Sequence, residues 1–101
     1  LKQFIAEDPN DPFLRYGLAL EYLHDQPGLA REVFEQLLSV FPEYLPTYYP
    51  AAHLLMERGE ETRAEETFRK GIGLAKRQGD RKTESELRQA YENWLYERGE
   101  Q

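Results

Sequence analysis

Residues 64–75 read AEETFRKGIGLA, and residues 30–41 read AREVFEQLLSVF. Ala64, Phe68, Gly71 and Ile72 fall where Ala30, Phe34, Leu37 and Leu38 stand, at a constant offset of 34 residues. Each run sets down a small residue, then a large aromatic one turn later, then an apolar or small pair one turn further on. Side chains three and four apart share one face of an α-helix, so each run is the inner stripe of a helix. A period near 34 with this content marks stacked helical hairpins.

Upstream of the first run, Leu14, Leu18 and Tyr22 recur every four residues, with Ala19 beside them. They predict a helix over 12–24, capped by Asp11 and opened by Pro12, whose missing N–H costs nothing there. Gln26, Pro27 and Gly28 break it, and a second helix runs over 28–41 until Pro42. That helix is apolar on more than one face, so it is expected to lie sandwiched between neighbours. The next helix spans 46–58 with Tyr48, Ala51, Ala52 and Leu55 inward. Pro50 removes a backbone bond if that helix begins at Pro46, so the helix starts later or bends there. Gly59 stops it. Glu60 and Glu61 open a helix over 60–77, where carboxylates meet the positive end of the dipole.

Gly71 and Gly73 weaken this fourth helix by about 1 kcal/mol each relative to Ala, which fits a place where another helix approaches closely. Glu60, Glu61, Glu65 and Glu66 read as a solvated face within reach of Arg63, Arg69 and Lys70. Gly79 and Asp80 stop the helix and cap the next. A fifth helix over 81–98 carries Leu87, Ala90, Tyr91, Trp94 and Leu95 on one stripe. Its far side, Arg88, Gln89, Glu92 and Asn93, is wet, as a capping helix requires. Residues 1–8 place Leu1, Phe4 and Ile5 on one face before Pro9. Phe4, Ile5 and Pro9 echo Leu37, Leu38 and Pro42 at an offset of 33. The expected organisation is one all-α domain over 1–101: a partial or capping helix at 1–8, repeats at 12–43 and 44–77, and a closing helix at 80–98.

Composition narrows the function. The chain has 101 residues, a 40% apolar and 32% charged content and thirteen aromatics, which suits one small helical domain. Its net charge of −6 opposes nucleic-acid binding, which needs cations to neutralise phosphates. Net negative charge concentrates early, where residues 1–45 hold eight acids against three bases, whereas residues 76–82 (KRQGDRK) are basic. That short run reads as a solvated turn, or as a small docking patch. There is no cysteine, hence no disulfide framework. No apolar run reaches the ~18 residues a membrane span needs, and no signal peptide is visible. The expectation is a cytoplasmic protein without a membrane or cofactor role. The chain opens at Leu1, which leaves room for a segment ahead of it or for a longer array.

At this point the residues resemble the tetratricopeptide repeat family, whose pattern is W-x2-L-G-x2-Y in the first helix, then A-x3-F and a closing Pro. Arg15, Leu18, Ala19, Tyr22, Ala30, Phe34 and Pro42 follow that spacing in repeat one. Tyr48, Ala51, Ala52, Leu55, Ala64 and Phe68 follow it in repeat two, which lacks the Pro. Arg15 replaces an aromatic, as suits an end repeat with an exposed flank. The resemblance implies a curved α–α superhelix whose first helices line a concave groove for peptides or partner proteins.

The helical wheel leaves Phe13, Tyr16, Leu20, Leu23 and His24 for that groove in repeat one, and Tyr49, His53, Met56 and Glu57 in repeat two. This set is apolar and aromatic beyond what internal packing needs, and such patches mark interaction sites. Family members that clamp a C-terminal carboxylate use Lys and Asn on this face. Tyr16, Leu20, Tyr49 and His53 stand there instead, so an apolar or aromatic segment is the better ligand. The expected function is a non-catalytic module that binds a protein or peptide. The alternative is a homodimeric scaffold that pairs through the groove or the Trp94 helix. A metal enzyme is a remote third. His53 and Glu57 share a helix face, and His24 and Glu21 lie nearby on the first helix. No further His or Cys completes a zinc set.

Overall fold

The computed structural model describes residues 11–99; the expected partial helix at 1–8 lies outside them. Five α-helices follow in order: α1 Pro12–Asp25, α2 Pro27–Val40, α3 Tyr48–Glu57, α4 Glu61–Gln78 and α5 Arg81–Glu97, with a 3₁₀ turn at Leu45–Thr47 before α3. Among the described residues there is no strand.

The signals that start and stop the helices are local. Asp11 Oδ1 accepts the Phe13 N–H at 2.9 Å, and Asp80 accepts both the Thr83 N–H and its hydroxyl, at 3.0 and 2.9 Å. Pro12 and Pro27 each open a helix. Gly59 and Gly79 end α3 and α4 in the left-handed region, at φ 78° and 74°. The residue after each glycine donates back across the last turn, Glu60 to the Leu55 carbonyl and Asp80 to the Ala75 carbonyl. Pro50 is accommodated because α3 starts at Tyr48, after the 3₁₀ turn. It is the third helical residue, where an N–H has no intrahelical acceptor in any case.

The helices stack so that α2 lies between α1 and α3, and α4 between α3 and α5. Helix α3 feeds two cores. Ala51 and Leu54 pack with Ala19, Ala30, Phe34 and Leu37 of the first hairpin. Ala52 and Leu55 pack with Phe68 and Ala75 of α4 and Leu87 and Trp94 of α5. The Phe68 ring stacks on Tyr91 at 5.4 Å and lies 5.9 Å from Trp94, so α5 is locked to the second hairpin by aromatic contact.

Several expectations change. Helix α2 is covered on two sides, yet Leu29 and Val40 at its ends remain exposed. Arg15 is not on an open flank: it is half-buried, with its guanidinium 5.7 Å from the Phe41 ring centroid. Of the two glycines in α4, only Gly71 meets a neighbour. A Cβ there would fall 2.7 Å from Tyr48 Cβ and 3.1 Å from Leu87 Cδ1. A Cβ at Gly73 would touch only Arg77 of its own helix, at 3.5 Å. The glutamate run does more than line a wet face. Arg31 holds Glu60 with bonds of 2.7 and 2.5 Å, and Arg63 holds Glu35 with bonds of 3.0 and 2.5 Å. Two bidentate pairs therefore join α2 to the start of α4, the second helix of the second hairpin.

The two glycines should separate on substitution. Gly71→Ala forces a Cβ into the base of Tyr48, which cannot swing away, and should destabilise by about 1–3 kcal/mol despite better helix propensity. Gly73→Ala should stabilise by up to about 1 kcal/mol. Urea denaturation of both variants checks this, and equal shifts would refute it.

The Arg31 hydrogen bond, ahead of its charge, holds the Glu60 carboxyl below its usual range. The folded value lies under the unfolded one, so this stabilisation is complete above the unfolded carboxylate pKa. It is lost as pH falls through the lowered folded value. The pair is partly exposed, so its contribution is about 0.5–1 kcal/mol. Glu60→Gln should remove that part of the acid-side loss, read as a smaller fall in urea midpoint between pH 7 and pH 3.

Candidate interaction groove

A helix turns about 100° per residue, so burying Tyr48 throws Tyr49 out to the side. Tyr48 is 4% exposed and its hydroxyl donates to the Pro42 carbonyl, whereas Tyr49 is 40% exposed. One turn on, the His53 ring lies 4.8 Å from that of Tyr49. Three adjoining open hollows meet at Tyr49. One, of about 490 Å³, separates Tyr49, His53 and Met56 of α3 from the Glu86–Glu97 side of α5. A second, of about 520 Å³, runs from Tyr49 to Tyr16, Tyr44 and the start of α5. The third, of about 720 Å³, lies between the end of α1, at Leu23 and His24, and Pro50, His53 and Glu57 of α3. His53 is shared by the first and third, Glu86 by the first and second, and Pro50 by the second and third. The result is one continuous surface formed mainly by α1, α3 and α5.

Of the residues singled out from the sequence, Tyr16, Leu23, His24, Tyr49, His53, Met56 and Glu57 line these hollows. Phe13 and Leu20 line none of the three, although they are 64% and 39% exposed. Tyr16, Leu23 and Met56 also lean on the two cores, so part of their area is structural. Sequence reasoning overlooked Tyr44, whose ring meets Tyr16 edge-on at 5.9 Å. It sits in the connection before α3, where a helical wheel has nothing to say. It also assigned Gln89 and Asn93 to a wet far side, yet both line the hollow opposite Tyr49 and His53. The recurrence of Glu86, Gln89, Asn93 and Glu97 at helical spacing was the available signal.

The phenols of Tyr16 and Tyr44 are neutral hydrogen-bonding groups. Burial raises the pKa of Tyr16, and burial first, then the neighbouring Tyr16 and Asp11, raises that of Tyr44. Among the described residues, Arg58 is the one Arg or Lys lining the three hollows, and its Nε lies 3.5 Å from Glu60. His24, His53 and Glu57 line the same hollow. Among the described residues, however, no three His, Cys, Asp or Glu side chains gather closely enough to hold a metal ion. No helix among the described residues is long and apolar enough to cross a membrane.

No protein-family model matches the chain, and no curated protein does. Solved structures do. The solution structure of a tetratricopeptide repeat domain protein from Salinibacter ruber is 39% identical, with a TM-score of 0.80, over 86% of this chain and 89% of that one. A crystal structure of a tetratricopeptide repeat domain protein from the same organism is 37% identical, with a TM-score of 0.79, over 84% of this chain and 96% of that one. These likenesses point to a non-enzymatic repeat fold and, in general terms, to a protein-interaction module. With that identity over most of both chains, and hairpins repeating at 34 residues, the chain belongs to the tetratricopeptide repeat family.

Proposed function

We propose that this chain is a non-catalytic module that binds a peptide or a segment of a partner protein along the surface centred on Tyr49. The observation that carries this reading is the position of Tyr49. It is an exposed aromatic ring that the core does not use, at the meeting point of three adjoining hollows. Aromatic rings are favoured in the centres of protein interfaces because they bury large areas with few rotors to freeze, and methionine because its flexible side chain fits varied partners. Tyr49, Tyr16, Tyr44 and Met56 supply that area. The tyrosine hydroxyls, Asn93 and Gln89 supply donors and acceptors for a ligand backbone. In this reading residues 12–43 and 44–77 are the two repeats. The closing helix α5 also serves as the second wall of the groove.

Tyr16→Ala combined with Tyr49→Ala should weaken capture of the partner in a pull-down by at least about tenfold, since each central aromatic contributes upwards of about 1 kcal/mol. Equal capture by wild type and the double variant would sink the assignment. Tyr49→Ala alone should leave the urea midpoint almost unchanged, within about 0.5 kcal/mol. Tyr48→Ala, one residue away, should destabilise by about 3–5 kcal/mol. A large loss of stability from Tyr49→Ala would show that its ring serves the fold rather than a ligand.

A further inference from the structure

Two groups of glutamates stand out among the described residues. Glu35, Glu60, Glu61, Glu65, Glu66 and Glu84 are each within 4 Å of an arginine or lysine. None of the six lines the three hollows around Tyr49. Glu43, Glu57, Glu86 and Glu97 do line them, and none of these four has a cation beside it among the described residues. All four are exposed. Glu86 stands where two of the hollows join, Glu57 and Glu97 at their outer walls on α3 and α5, and Glu43 beside Tyr44. Arg58, the single arginine of the surface among the described residues, is 3.5 Å from Glu60. Asp80 also lines the second hollow, but it is committed to capping α5 through Thr83 and feels the charge of Lys82. Glu21, Asp25, Glu32 and Glu92 line none of these hollows.

We infer that the groove takes a cationic apolar peptide: a segment with an aromatic or aliphatic side chain for the Tyr49–His53–Met56 floor, flanked by lysine or arginine for the uncompensated carboxylates. This rests on the binding role proposed above and adds the chemistry of the partner. An apolar floor alone accepts any hydrophobic segment. The unpaired carboxylates discriminate, because an acidic segment meets like charges along this surface, whereas for a basic one the arginine found there among the described residues, Arg58, is engaged with Glu60. A second copy of this chain is disfavoured as the occupant of the same groove, because two such surfaces face to face would oppose their own carboxylates. The exposed positions of the four glutamates limit the gain from each pair, but they act together and their field extends over about 8–10 Å at physiological salt.

The test uses three sets of fluorescein-labelled 12-residue peptides with the same central Phe-Leu pair, flanked by Lys/Arg, by Ser/Gly or by Glu/Asp. Fluorescence anisotropy against the whole chain should show the cationic set binding at least about fivefold more tightly than the neutral set. The acidic set should be the weakest, and the preference should shrink as salt is raised. Glu57→Gln with Glu86→Gln should weaken the cationic set by about three- to tenfold. Glu32→Gln with Glu92→Gln, which changes net charge equally away from the groove, should leave it unchanged. Equal effects of the two double variants would overturn the inference, since attraction to the net charge would then suffice. Neutral or acidic peptides binding as well as cationic ones, with Tyr49→Ala still abolishing binding, would overturn the charge assignment and leave the groove standing. Failure of every set, or binding indifferent to Tyr49→Ala, would overturn both.

Discussion

Gly71 is the point where three helices meet. With no side chain there, α4 comes close enough to α3 that a Cβ would sit 2.7 Å from Tyr48 Cβ, and close enough to α5 that it would sit 3.1 Å from Leu87. A packed interior has no slack for an extra methyl at that distance. The contact fixes more than separation. It presses the Tyr48 ring into the core, where its hydroxyl reaches the Pro42 carbonyl, and so sets the rotation of α3 about its axis. Once that rotation is set, Ala51 and Leu54 must face the first hairpin, Ala52 and Leu55 the second, and Tyr49 and His53 the open side. The orientation of the Tyr49 face is a geometric consequence of a glycine on a different helix.

The hairpins were legible because burial imposes a periodic demand. Ala30, Phe34, Ala64 and Phe68 are all fully or nearly fully buried, and the 34-residue offset records their equivalent places. Helix ends were legible because proline, glycine and aspartate act locally. What was not legible depends on which helix lies across from which. Gly71 and Gly73 look alike in sequence, but only the packing shows that one faces Tyr48 and the other mainly its own helix. Arg63 offers partners at i+3 and i+4 in any helical reading, yet its bidentate partner is Glu35, 28 residues away. Gln89 and Asn93 are polar and so were assigned to solvent. They do face solvent, but the solvent of a hollow shared with Tyr49. Polarity distinguishes core from surface and does not distinguish one surface from another.

Arginine placement follows the same logic. Arg31 and Arg63 bond α2 to Glu60 and α4 to Glu35, and Arg69 donates to the Tyr91 hydroxyl, which in turn donates to Glu65. Each pair is partly solvated, so no single one decides the stability. Their common effect is to tie neighbouring helices on the side away from the groove, where ion pairs can brace the stack without occupying the surface around Tyr49.

That separation has a consequence for how such a small protein can hold a functional face. The core residues that set the helix rotations, Tyr48, Phe68, Gly71 and Leu87, are buried and tightly coupled, so most changes among them propagate. Tyr49, Glu57, Glu86 and Glu97 contribute little to that packing, because each is exposed. A substitution there alters the chemistry of the surface without altering the scaffold that presents it. Net charge acts in the same direction. At −6, the chain repels copies of itself and attracts cations over several ångströms. Its exposed glutamates around Tyr49 direct that attraction to the hollows between α1, α3 and α5.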